Sequence, residues 1–152
     1  MFESCHSPSD VAHLLRLRFG FPVQLFAGRP FLSCGHAIDA IAMPADIGRL
    51  VRDRLRAAPA TPAVADARNR RWVFLANPPR PYHGRPDRNR FADSGVTVFD
   101  AGRRVMLPIS DYPLGWHWVS EPVPGRLVLP GSTVVLAAVR ETLREELGHV
   151  PA

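Results

Sequence analysis

Two cysteines and two histidines near the start of the chain, Cys5, His13, Cys34 and His36, have the ligand types of a zinc site. Their spacing contains no Cys-x2-Cys and no His-x3-His pair, so buried thiols and ordinary histidines are the competing account. Cys34 and His36 would also make a nucleophile and its base, provided the imidazole reached the thiol and a third group oriented it. The most numerous set is basic. Between Arg68 and Ala92 stand Arg68, Arg70, Arg71, Arg80, Arg85, Arg88 and Arg90 against one acid, Asp87. Guanidinium groups bind phosphates in a bidentate manner, and an aromatic ring can stack a base. Arg68, Arg70, Arg71, Arg85, Arg88 and Arg90, with Trp72 and Tyr82, therefore form a candidate nucleic-acid surface. Six phosphate contacts to a single strand predict a log–log salt slope on the order of −4, at about 0.7 per phosphate. A solvated, soluble loop has the same composition, and only binding separates the two.

Nineteen basic residues, all arginine, face fourteen acids in 152 residues, for a formal net charge of +5. A chain without lysine has no phosphate-binding P-loop, and no G-x-G-x-x-G, G-x-S-x-G or H-E-x-x-H is present either. Absent lysine with 16 Pro and 11 Gly reads as the codon bias of a GC-rich genome, so the distribution of arginine is more informative than its number. Segment 68–92 carries a net +6, and the remainder, with twelve arginines and thirteen acids, a net −1. A composition 46% hydrophobic and 22% charged excludes wholesale disorder and a coiled coil. The length fits a single domain over 1–152. No apolar run approaches the roughly 20 residues that span a bilayer, and MFESCHSPSD lacks the pattern of a secretory signal. A cytoplasmic protein without a membrane partner is the expectation, with both thiols reduced.

These residues need elements to position them. Ser9-Asp10 can cap a helix bearing Val11, Leu14 and Leu15, stopped near Gly20. Residues 21–26 read as a strand turned by Gly28-Arg29 toward Phe31-Leu32, and 36–41 as a buried strand. Pro44 opens a helix with Ile47, Leu50, Val51 and Leu55 inward and Arg49, Arg52 and Arg56 toward solvent, partly offset by Asp46 and Asp53. Short strands follow at 63–65 and 72–76, joined by a tight turn over Asp66–Arg71. A long basic loop runs over 77–93. Residues 95–99 and 104–107 are expected to form a hairpin across Asp100–Arg103. Trp116 to Val119 reads as a strand. The last element is a helix capped by Ser132 or Thr133 and closed by Gly148, with Val135, Val139, Thr142, Leu143 and Leu147 inward. This order predicts an α+β domain with a mixed, largely antiparallel sheet and about three packed helices, its first 60 and last 90 residues forming two lobes on that one sheet.

Segment 95–119 resembles a late part of the Prim-Pol domain of the archaeo-eukaryotic primases. A glycine and strand there run into a "PPS" element, a short loop with Gly, and a strand ending in an aromatic. Here these positions are Gly102, Val105-Met106-Leu107, Pro108-Ile109-Ser110, Gly115 and Trp118. RNRRWVFLANPP (68–79) takes the place of the family's glycine-rich turn and the strand with its catalytic histidine. HAIDAIAMPADIGRLV (36–51) takes the place of the strand with two metal-binding carboxylates one residue apart. The resemblance covers about 100 residues, and such small domains are frequent in actinobacteria, which agrees with the lysine-free composition.

The resemblance implies a primase/polymerase-like fold, and the departures from it imply lost chemistry. Two cations must be clamped in polymer synthesis. Here the paired motif reads Asp39-Ala40-Ile41, and Arg70 or Arg71 replaces the histidine. Asp39 and Asp100 are then vestigial catalytic candidates, with neither a catalytic set nor a cofactor expected. Three functions follow: a non-catalytic Prim-Pol-like domain holding nucleic acid or nucleotide on its arginine-rich loop; a regulatory scaffold with a protein partner on Tyr112, Pro113 and Trp116; or an active primase/polymerase using Mg or Mn on Asp39, Asp93 and Asp100.

Overall fold

A computed structural model describes residues 1–35, 37–57, 61–79 and 89–148. Helix α1 (Pro8–Phe19) is capped by Ser7 rather than Ser9 or Asp10: Ser7 Oγ accepts the Asp10 N–H at 3.2 Å. The Asp10 carboxylate in turn accepts the His6 N–H at 3.0 Å, and this bond holds its carboxyl below the usual carboxylate range. At the other end Gly20, at φ 74°, closes the helix by donating to the Arg16 carbonyl. Strand β1 (Gln24–Phe26) pairs antiparallel with β2 (Arg29–Ser33). The buried strand is β3 (Asp39–Pro44), displaced by three residues from its expected start. Helix α2 (Ala45–Arg54) follows at once, with Pro44 as its cap residue.

Strands β4 (Ala63–Ala65) and β5 (Arg71–Ala76) flank the expected turn. The long-loop region 77–93 is described only at its two ends. Strands β6 (Thr97–Val98), β7 (Arg104–Met106) and β8 (His117–Ser120) come next. Helix α3 (Ser132–Leu147) starts after Gly131, which serves as its cap residue in place of Ser132 or Thr133, and ends at Gly148 with φ 58°.

The strands form two sheets, β1-β2-β7 and β6-β3-β5-β4-β8, and every strand pairing in them is antiparallel. The expected hairpin is absent. Its turn exists, with Arg103 N–H donating to the Asp100 carbonyl at 3.1 Å. Its two arms nevertheless separate, β6 pairing with β3 and β7 with β2. Each arm finds a better apolar partner elsewhere: Val98 packs beside Ile41, and Val105 beside Leu32. The same interleaving overturns the two-lobe expectation, because both sheets draw strands from early and late parts of the chain.

The two-residue period of the strands divides the core into two layers. Ala40, Ala42, Val64, Val73 and Leu75 face α1 and the small sheet; Ile41, Met43, Ala63, Ala65, Trp72, Phe74 and Ala76 face α2 and α3. The result is an α+β domain in which the five-stranded sheet is covered on both faces. Among the described residues no helix is long and apolar enough to cross a membrane.

Candidate nucleic-acid interface

The β4–β5 turn is built on Asp66, whose carboxylate accepts the Arg70 N–H at 2.7 Å and the Arg71 N–H at 3.4 Å. Asn69 adopts φ 50°, a left-handed conformation that Asn tolerates better than most residues. Its Oδ1 accepts the Trp72 indole N–H at 2.7 Å. The turn thereby points three arginines, Arg68, Arg70 and Arg71, outward from one end of the large sheet, all exposed. Arg71 is braced by a bond from its guanidinium to Thr97 Oγ1 at 3.2 Å.

Trp72 is 2% exposed. Its ring lies under α2, against Gly48, and the guanidinium carbons of Arg49 and Arg52 stand 5.9 and 5.0 Å from the ring centroid. This corrects its expected role: a ring covered on both sides cannot stack a base without separating helix from sheet. Trp72 instead joins two basic groups that are distant in sequence, since Asn69 ties it to the turn while Arg49 and Arg52 cover it. Arg52 is further held by the Val119 carbonyl at 3.1 Å. Among the described residues no carboxylate lies within ion-pair distance of Arg49, Arg68, Arg70 or Arg71. Arg90 is exposed, its guanidinium carbon 5.8 Å from the Phe91 ring centroid. Tyr82, Arg85 and Arg88 lie outside the described residues.

The contribution of Arg49 went unread in the sequence. The three-residue spacing of Arg49 and Arg52 places both on one helical face, but nothing local says that Trp72 lies beneath it.

The carboxylates gather at different places. Asp39, 1% exposed, begins β3 on the face toward α2 and α3 that Ile41 and Met43 share. Pairings Ala42↔Thr97 and Ile41↔Val98 continue through a Phe99 N–H to Ala40 carbonyl bond of 2.9 Å. The pairing ends there, and Asp100 follows, exposed, at the start of the turn to Arg103. Asp93 sits at the opposite end of β3, close to Gly95, where a Cβ would come within 3.0 Å of Pro44. That is about 16 Å of strand away from Asp39, at about 3.3 Å per residue. The three acids therefore do not assemble, and Ile41, at the expected second carboxylate position, is 0% exposed within the apolar cluster.

Cys34 is buried in the layer beneath the small sheet and Cys5 half-buried, with its thiol pushed up chiefly by desolvation. His13 is exposed on α1, and His36 lies outside the described residues. Among the described residues no three His, Cys, Asp or Glu side chains are grouped to hold a metal ion, so Cys5, His13 and Cys34 are not brought together.

A second feature borders the turn. A cavity of about 360 Å³ opens between the small sheet and the segment before β8, with Ala67 of the β4–β5 turn on its wall. Beside it Ile109, Tyr112 and Leu114 are exposed. The chain matches no family model, and no curated protein or solved structure is similar to it at a significant level.

Proposed function

We propose that this chain is a catalytically silent Prim-Pol-like domain that holds single-stranded nucleic acid or a nucleotide on arginines gathered around the β4–β5 turn. One observation carries the reading: Trp72 joins the guanidinium groups of α2 to a turn bearing Arg68, Arg70 and Arg71, whose charges are not consumed by ion pairs among the described residues. Arginine clustered on one surface is the footprint of phosphate recognition. Ile41 supports the silent half of the reading, because a carboxylate at that position, two residues along the strand from Asp39, would have to enter a closed apolar layer.

Fluorescence anisotropy of a labelled oligothymidylate at increasing salt tests it. Contacts from Arg49, Arg68, Arg70 and Arg71 alone give a log–log slope of about −3, at about 0.7 per phosphate. The Arg68→Ala, Arg70→Ala double variant then loses about 1.4 of that slope. A flat salt response, or no binding at low salt, overturns the reading. In a primer-synthesis assay with magnesium or manganese, no product is expected above background. Incorporation that disappears in Asp39→Asn would restore the polymerase reading instead.

The exposed Ile109, Tyr112 and Leu114 favour a second reading, a scaffold for a protein partner. A strictly monomeric protein in native mass spectrometry, with no complex recovered, counts against it.

A further inference from the structure

We infer that the cavity beside the β4–β5 turn receives an unpaired nucleobase, stacked on Trp116 with a flanking phosphate on Arg29. This inference rests on the nucleic-acid reading above and extends it to a preference for single strands. The volume of about 360 Å³ lies at the small end of small-molecule sites. Pro30, Met106 and Ile109 supply apolar walls, and Arg29 and Ser110 the polar groups. Trp116 is half-buried: part of its ring packs against the α1-side core, and part lines the cavity. A ring fixed from behind is a rigid stacking surface, and stacking accepts any base.

Charge decides between a base and an apolar peptide side chain. Arg29 stands on the cavity wall, and Ala67 on that same wall leads directly into Arg68. Neither arginine has a carboxylate within ion-pair distance among the described residues. The nearby acids are engaged. Asp111 accepts the Met1 ammonium at 3.1 Å and the Phe2 N–H at 3.3 Å, while Asp66 accepts the turn's own N–H groups. An occupant with a flat ring and an adjacent anion satisfies both walls and rim. A strand running from Arg29 past Ala67 would continue onto Arg68 and Arg70. Paired bases remain stacked inside a duplex and cannot enter.

Tryptophan emission and anisotropy, followed together with oligothymidylate as the probe, test the assignment. Wild-type protein is expected to show quenching on binding, and an oligothymidylate–oligoadenylate duplex to give none. Trp116→Ala should lose the quenching and bind about tenfold more weakly, whereas Trp116→Phe, which keeps a ring, should recover most of the affinity. Ile109→Glu changes an exposed wall position without threatening the core, and it too should weaken binding about tenfold. If both Trp116→Ala and Ile109→Glu bind normally while Arg68→Ala, Arg70→Ala does not, the cavity is not a base site and the arginine surface stands. If wild-type protein binds no oligothymidylate at low salt, the nucleic-acid reading falls and this inference with it. Quenching by a leucine-rich peptide but not by oligothymidylate overturns it in favour of a protein segment.

Discussion

Ile41 and Asp39 lie two residues apart on β3 and therefore on one face, a relation that can be read from the sequence alone. The sequence does not disclose that α2 and α3 close over that face, leaving Ile41 within the apolar layer. A carboxylate placed there would be buried in a layer that is apolar among the described residues. Ile41→Asp is thus expected to lose roughly 3–5 kcal/mol, the cost of an uncompensated buried charge, as measured by denaturant unfolding. A variant of near wild-type stability would mean that the position opens toward solvent as a working metal site requires. Trp72 shows the same limit. Its type suggested base stacking, but its alternation with Phe74 on β5 assigns it to the helix-covered face. Arginine is also partly diverted to covering rings: Arg103 stands over Phe99, and Arg104 over Phe31, with guanidinium carbons 3.8 and 4.7 Å from the ring centroids. In a chain whose basic side chains are all arginine, this use reduces the number that project freely into solvent.

The α2–β5 contact holds the arginine surface together. Gly48 is what lets the helix approach: a Cβ there would stand 2.8 Å from Trp72 Cε3, within a ring pinned by Asn69 and the core. Gly48→Ala would ordinarily gain up to about 1 kcal/mol of helix propensity. Here overpacking against an immobile ring costs about 1–3 kcal/mol, so the net expectation is a lowered Tm in thermal unfolding. A raised Tm would show that α2 stands off the sheet. The helices were legible because their signals are local: Gly20 and Gly148 stop α1 and α3 where expected, and the apolar spacing of α2 is regular. Strand partners were not. The Asp100–Arg103 turn is chemically sound, yet β6 and β7 part because pairing is settled by apolar faces brought from elsewhere in the chain. The same reason conceals the cavity, whose walls come from β2, the β4–β5 turn, β7 and the segment before β8.

At the scale of the molecule, a basic excess that is linear in the sequence becomes a surface assembled from separate elements. Segment 68–92 carries the net charge, but its described part gains a companion in Arg49 from α2. The two covers of the large sheet account for why so little of this could be read in advance: each face is closed by elements from both ends of the chain. The proposed binding depends on charge at the β4–β5 turn rather than on net charge alone. It is tested most directly by Arg68→Glu, Arg70→Glu, a pair of exposed substitutions whose fold circular dichroism can verify. Oligothymidylate affinity at low salt should fall by at least tenfold, about 1.4 kcal/mol. Unchanged affinity in a folded double variant would contradict the account.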